Sequence, residues 1–134
     1  MTITSEGELP LKGEHDIVLG RQYVRRLTQQ QGFSLVDQTK MVTAASELAR
    51  NTLIYGGGGI LKWSLLTEGA KRGVRLVFED QGPGIPNMEL ALTDGWTSGK
   101  GLGLGLTGTR RLVNEFEIDS TVGVGTRIVI TRWK

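Results

Sequence analysis

The stretch from Glu79 to Gly105, EDQGPGIPNMELALTDGWTSGKGLGLG, most constrains what this chain can become. It is two glycine-rich loops joined by a short helical segment. In the first loop Asp80 closes a strand-like run, Val74 to Phe78, and Gly82 and Gly84 follow on either side of Pro83. Glycine lets backbone approach a flat ligand closely and take dihedrals that other residues avoid. In the second loop Gly99, Gly101, Gly103 and Gly105 alternate with Lys100, Leu102 and Leu104, and an apolar helical pattern begins there. Most glycines only make turns, but two such loops in tandem ask for more.

The chemistry of the two loops differs. A carboxylate at a strand end, as at Asp80, can accept a hydrogen bond from an exocyclic amine. Free amides at a helix start, beside Lys100, favour an anion. An acceptor for an amine followed by a phosphate-friendly loop points to an adenine nucleotide lying between them.

Size and composition narrow the setting. The chain has 134 residues, enough for one domain that buries roughly two-thirds of its unfolded surface, and a second domain is not expected. Its 20 glycines are about twice the usual share of ~7% and gather in loops without a period. Cysteine is absent, which excludes disulfides and thiolate metal sites. The opening MTITSEGELP lacks the basic and apolar regions of a signal peptide, and no apolar run reaches spanning length. A cytoplasmic protein without membrane contact is the expectation. Net charge is only +2, and the basic residues are dispersed rather than gathered in a stripe with aromatic platforms, so nucleic acid is not an expected partner.

Around the loops the elements follow from periodicity. Ile3 to Lys12 is extended, and Pro10 marks it as an edge strand. Ile17, Val18, Val24 and Leu27 recur at helical spacing in Glu14 to Gln31, which Gly32 stops at a C′ position. His15, the lone histidine, reads as a surface or cap residue. Ser34 can cap a second helix, Leu35 to Tyr55, with Val36, Val42, Ala45, Leu48, Ala49 and Thr52 buried. Glu47 and Asn51 are four apart on that helix and share a face. They read either as a solvated face or as a working pair: Asn51 offering a neutral oxygen to Mg²⁺ held by phosphates, Glu47 orienting or deprotonating a nucleophile.

Ile60 to Leu66 and Arg72 to Asp80 predict a hairpin, with Val74, Leu76 and Phe78 on one face. Leu104 to Glu115 predicts a helix with Leu106, Leu112 and Val113 inward. Phe116 to Thr121 and Arg127 to Trp133 predict the last strands, joined by a turn containing Gly123, Gly125 and Thr126. The expected fold is α/β: a two-layer sandwich with a mixed, largely antiparallel sheet and helices on one face.

Two familiar phosphate motifs fail on inspection. Gly103 to Gly108, GLGLTG, matches the dinucleotide fingerprint in letters, but no strand precedes it. Gly95 to Gly101, GWTSGKG, is one residue short of a P-loop and has no Ser or Thr after Lys100.

Glu47 and Asn51 in SELARN, Asp80, Gly82 and Gly84 in EDQGPGIP, and Gly101, Gly103 and Gly105 in GLGLGL resemble, in that order, the N, G1 and G2 boxes of the GHKL ATPase superfamily. That superfamily has the Bergerat fold, and the resemblance spans nearly the whole chain. Within it, SELARN, EDQGPGIP and DGWTSGKGLGLGL leading into GTRRLVNEF are most similar to the small RsbT-type serine/threonine kinases of bacterial partner-switching pathways, associated with stressosomes. The resemblance implies ATP and Mg²⁺ as cofactors. It implies STAS-domain antagonist and scaffold proteins as substrates, and a PP2C-type phosphatase that the kinase activates by binding.

Carried over by residue, it makes Asp80 the adenine-amine acceptor, with Thr126 supporting it directly or through water. Gly82 and Gly84 shape the adenine pocket, Asn51 ligates Mg²⁺, and Glu47 is the base for the acceptor hydroxyl. Pro86 to Gly105 is the lid, with Lys100, Gly101, Gly103 and Gly105 toward the phosphates. Many GHKL proteins carry His or Lys four residues beyond the Mg²⁺ asparagine, where this chain has Tyr55. Related anti-sigma factors keep the same fold and act mainly by sequestering a sigma factor, with kinase activity towards an antagonist, so that reading stays open, as does a nucleotide-dependent interaction module without transfer.

Overall fold

The computed structural model describes residues 1–85 and 105–134. Strand β1 (Thr2–Leu11) leads into helices α1 (Glu14–Gln30) and α2 (Leu35–Ile54). Strands β2 (Gly59–Glu68) and β3 (Lys71–Asp80) form a hairpin, and a short helix α3 (Gly105–Arg110) precedes β4 (Glu115–Thr121) and β5 (Gly125–Trp133). The strands form one sheet in the order β1-β2-β3-β5-β4, and all four pairings are antiparallel. β1 lies at an edge, as Pro10 predicted. No helix among the described residues is long and apolar enough to cross a membrane.

Local signals set the helix ends. The Asp16 carboxylate accepts from the backbone N–H groups of Lys12 and Gly13, at 2.8 and 3.2 Å, which satisfies amides that the first turn of α1 leaves open. At the other end Gly32 takes φ +78°, and Phe33 N–H reaches back to the Thr28 carbonyl at 3.0 Å, a Schellman closure. Ser34 Oγ accepts from the Asp37 amide at 3.1 Å and starts α2.

Strand alternation then aligns side chains across the sheet. Leu9, Leu61, Phe78, Ile128 and Ile118 stand opposite one another on consecutive strands and form one apolar row. Gly7, Trp63, Leu76, Ile130 and Phe116 form the next, where the Trp63 ring occupies the space that a side chain at position 7 would need. Against these rows pack Ile17, Val24 and Leu27 of α1, and Met41, Leu48 and Ala49 of α2. On the same side, one step beyond the Leu61–Phe78 row, lie Leu11, Gly59, Asp80, Thr126 and Ser120. The polar members of that row stand at the rim of the core.

Three expectations need correction. Val18 and Val36 are exposed rather than buried, because α1 and α2 turn other residues inward: Gly20 and Thr28 on α1, and Gln38, Met41 and Ala44 on α2. Gln38 is tolerated there because its amide donates to the Phe33 carbonyl at 2.9 Å. The third helix ends at Arg110, not near Glu115. Asn114 N–H bonds the Thr131 carbonyl at 3.0 Å, and Asn114 Oδ1 accepts from Trp133 N–H at 2.7 Å, so the sheet captures the chain early.

Arg132 holds that corner. Its guanidinium donates to the Leu112 carbonyl at 2.8 Å and to Asp37 Oδ1 at 2.7 Å, joining β5, the end of the α3 segment and the first turn of α2. This hydrogen bond to Arg132 holds the Asp37 carboxyl below its ordinary range, against an opposing push from desolvation. A carboxyl depressed on folding stabilises the fold above its unfolded pKa and loses that contribution as pH falls through the lower folded value. Asp37→Asn should therefore cost about 1 kcal/mol near neutrality, the scale of one hydrogen bond to a charged group less what the amide retains. Urea unfolding of both chains across pH checks it: the gap should be full at neutral pH and close in strong acid. A gap that does not vary with pH would mean the Asp37 charge contributes nothing.

Candidate nucleotide site

A cleft opens where the end of α2 faces the rim of the sheet. Asn51, Thr52, Tyr55 and Gly56 come from α2 and its end, Phe78 and Asp80 from β3, Gly84 and Ile85 from the following loop, Leu106 from α3, and Thr126 and Ile128 from β5. Phe78, Ile85, Leu106 and Ile128 make an apolar floor suited to a flat ring, and a few polar groups converge over it.

Asp80 stands at the last position of β3, directly opposite Thr126 on β5. Its Oδ1 accepts from Gly82 N–H at 2.8 Å. Its Oδ2 takes no hydrogen bond among the described residues and lies against Gly56, where an added Cβ would overlap the carboxyl group. The sequence reading gave Gly82 and Gly84 one task, room for a ligand, and the structure divides it. At Gly82 a side chain would strike the backbone of Gly56, 2.7 Å from its Cα, so this glycine lets the loop close onto the helix end. Gly84 takes φ +78°, and a side chain there would lie 2.6 Å from the Thr121 carbonyl oxygen. Gly84 thus seats the loop on the β4–β5 turn, where Gly123 N–H also bonds the Pro83 carbonyl at 2.9 Å. Gly84 lines the cleft and Gly82 does not.

Asn51 reaches the cleft from the last turn of α2. Glu47, one turn earlier, is outside the lining, with its side chain 12% exposed and Oε1 3.5 Å from Arg50 Nη1. Tyr55 lines the cleft beside Asn51. The Thr52 hydroxyl is already used, donating to the Leu48 carbonyl at 2.8 Å. Gly105 is buried at the start of α3. Lys100, Gly101 and Gly103, with the rest of the proposed lid, lie outside the described residues.

Sequence reasoning missed the apolar floor and Gly56. The alternation of β3 held the signal for Phe78, which shares a face with Asp80. Among the described residues no group of three or more His, Asp or Glu side chains converges as a metal site. A divalent ion here would need its ligands from a bound phosphate chain together with a single neutral oxygen, and Asn51 is placed to give one.

Comparison with known proteins agrees with this geometry. Residues 36–134 match the family model described as histidine kinase-, DNA gyrase B-, and HSP90-like ATPase. The serine/threonine-protein kinase RsbT of Bacillus subtilis is 42% identical over 120 residues, covering 90% of both chains. An anti-sigma F factor of Clostridium novyi is 33% identical over 101 residues, 70% of this chain and 69% of that one. Among solved structures, the RsbU and RsbW domains of a Mycobacterium tuberculosis protein superpose with a TM-score of 0.67 at 19% identity, over 98% of this chain and 33% of that one. The mycobacterial sensor histidine kinase MprB gives 0.57 at 19% identity, covering 96% and 97%. At that identity the two structures speak for the fold alone. The chain therefore belongs to the histidine kinase-, DNA gyrase B- and HSP90-like ATPase family, with the Bergerat fold, and within it to the RsbT-type serine/threonine kinases.

Proposed function

We propose that this kinase transfers the γ-phosphate of ATP to a serine or threonine of STAS-domain antagonist and scaffold proteins in a bacterial stress-response partner-switching pathway. It then activates a PP2C-type phosphatase by binding it. The observation that carries the reading is the convergence of Asp80, Thr126 and Asn51 on one apolar cleft, in a chain that aligns over nearly its full length with a serine/threonine kinase.

Adenine lies over Phe78 and Ile128 with its amine toward Asp80 Oδ2. That end of the cleft fixes the base, so the phosphates run along the end of α2 toward Asn51. Asn51 would hold Mg²⁺ through its amide oxygen together with the phosphates, and the ion would supply neutralisation of phosphate charge. Glu47 accepts the proton of the incoming hydroxyl. The hydroxyl oxygen forms a bond to the γ-phosphorus, the bond from that phosphorus to the β,γ-bridging oxygen breaks, and ADP leaves with the electron pair. Positioning supplies most of the acceleration in such a transfer.

A second reading has its own support in the similarity to an anti-sigma F factor: the same fold used chiefly to sequester a sigma factor. One experiment separates them. Labelled Mg-ATP is incubated with this protein and the STAS-domain proteins of its own organism, and the same preparation is tested for sigma-factor capture. Label on a STAS-domain serine or threonine without capture of a sigma factor supports the switch kinase, whereas label together with sigma capture supports the anti-sigma reading. Nucleotide binding and sigma capture without label would replace it with the sequestering reading.

A further inference from the structure

Gly56 connects the two ends of the cleft. Its N–H bonds the Asn51 carbonyl at 3.2 Å, while its Cα lies against the Asp80 carboxyl and against Gly82. A Cβ at position 56 would overlap Asp80 Cγ, and it would stand 2.5 Å from Asp80 Cβ and 2.7 Å from Oδ2. The backbone makes no such demand. Gly57 and Gly58, next in the chain, take φ +74° and +103°, but Gly56 is not among the positive-φ glycines. The side chain that position 56 lacks is excluded by Asp80.

The conflict has no complete relief. Asp80 is paired on both sides, with Gly59 on β2 and Thr126 on β5, so its backbone is held. Leu48, Ala49 and Thr52 bury the last turns of α2 in the core, so the helix end is held too. What can yield is the carboxyl. Rotation about χ1 moves Cγ and both oxygens but leaves Cβ where it is, so a side chain at position 56 displaces the acceptor and still costs stability.

We infer that Gly56 is a specificity-determining positioning residue: its bare Cα leaves the space in which Asp80 Oδ2 stands, and so it sets the acceptor that tells adenine from a purine without the 6-amino group. The inference rests on the ATP reading above.

Two measurements test it. The first needs no nucleotide: melting of Gly56→Ala, Asp80→Gly and the double variant. Gly56→Ala should melt well below wild type, whereas alanine at 56 should cost little once Asp80 is glycine, because the atoms it strikes are gone. Additive losses would overturn the inference. So would a Gly56→Ala chain that fails to fold and is not restored by Asp80→Gly.

The second is titration of ATP and of purine riboside triphosphate, which has hydrogen in place of the 6-amino group. Wild type should prefer ATP by about thirtyfold, the scale of one hydrogen bond to a charged group. In Gly56→Ala the preference should fall to about threefold or less. Gly57→Ala is the control for general loss of stability. Its added Cβ meets nothing within 4 Å beyond its chain neighbours, so backbone strain should lower its melting temperature and leave the ATP preference whole. A Gly56→Ala protein that keeps the wild-type preference would overturn the inference with the ATP reading intact. A wild-type protein that binds neither nucleotide would strike the ATP reading, and this inference with it.

Discussion

Asp80→Asn lowers ATP affinity by about a hundredfold, ~2.7 kcal/mol, as the expected result of removing one acceptor from a group that needs two. Oδ1 already accepts from Gly82 N–H, and Oδ2 is left for the adenine amine. An asparagine has a single acceptor oxygen. Turned toward the ligand, it sets an NH₂ group against Gly82 N–H and loosens the loop. Turned the other way, it sets the NH₂ against the adenine amine. Rotation cannot satisfy both donors, so a near-isosteric change has a large effect. Calorimetric titration with ATP checks it, and melting shows whether the variant is folded. Affinity within about threefold of wild type, well under 1 kcal/mol, would remove the nucleotide from Asp80.

Glu47→Ala has a different expected profile. Nucleotide affinity should be nearly unchanged, because Glu47 does not line the cleft. Phosphoryl transfer to the protein substrate should fall by about a thousandfold, within the usual range for loss of a general base. Single-turnover transfer at saturating Mg-ATP separates the two quantities. The Arg50 contact sharpens the test. At 3.5 Å and with the Arg50 side chain 45% exposed, the pair is too weak to fix Glu47 as a structural ion pair. Arg50→Ala should therefore melt near the wild-type temperature and keep transfer. If Glu47→Ala transferred phosphate at the wild-type rate, the base would have to be another group.

Much of this molecule could be read from its residues because the signals were local. Ser34 and Gly32 mark helix ends through bonds to neighbours within a few positions, and the Val74–Leu76–Phe78 alternation shows which face of β3 is buried. The placement of Asp80 at a strand end and of Asn51 on a helical face was legible for the same reason, and both line the cleft. The missed or misread features depend on partners outside their own element. Helix α3 stops where it does because Asn114 and Arg132 tie the following corner to β5, with Arg132 gripping the Leu112 carbonyl. Gln31 and Gln38 are buried although polar, because each finds backbone carbonyls to bond; Gln31 donates to Leu66 at 3.0 Å and to Gly73 at 2.8 Å, bridging β2 and β3. Periodicity assigns such residues to the surface. Ser120 escaped notice because the groups its hydroxyl meets, Ile85 N–H and Thr126 Oγ1, belong to other segments. Lys100, Gly101 and Gly103 lie outside the described residues and stay with the proposed lid.

In the proposed site the rim row also ties nucleotide binding to the pairing of the strands. Asp80 and Thr126 meet only if β3 and β5 pair in the right register, across a long excursion of chain. A slip of one residue in β5 would turn Thr126 to the opposite face and bring Gly125 or Arg127 beside Asp80. ATP has little to bind in such an arrangement, whereas it rewards correct pairing by about 2.7 kcal/mol at a hundred times its dissociation constant. A bound substrate would thus favour the correctly registered sheet over misaligned ones before any phosphate is transferred.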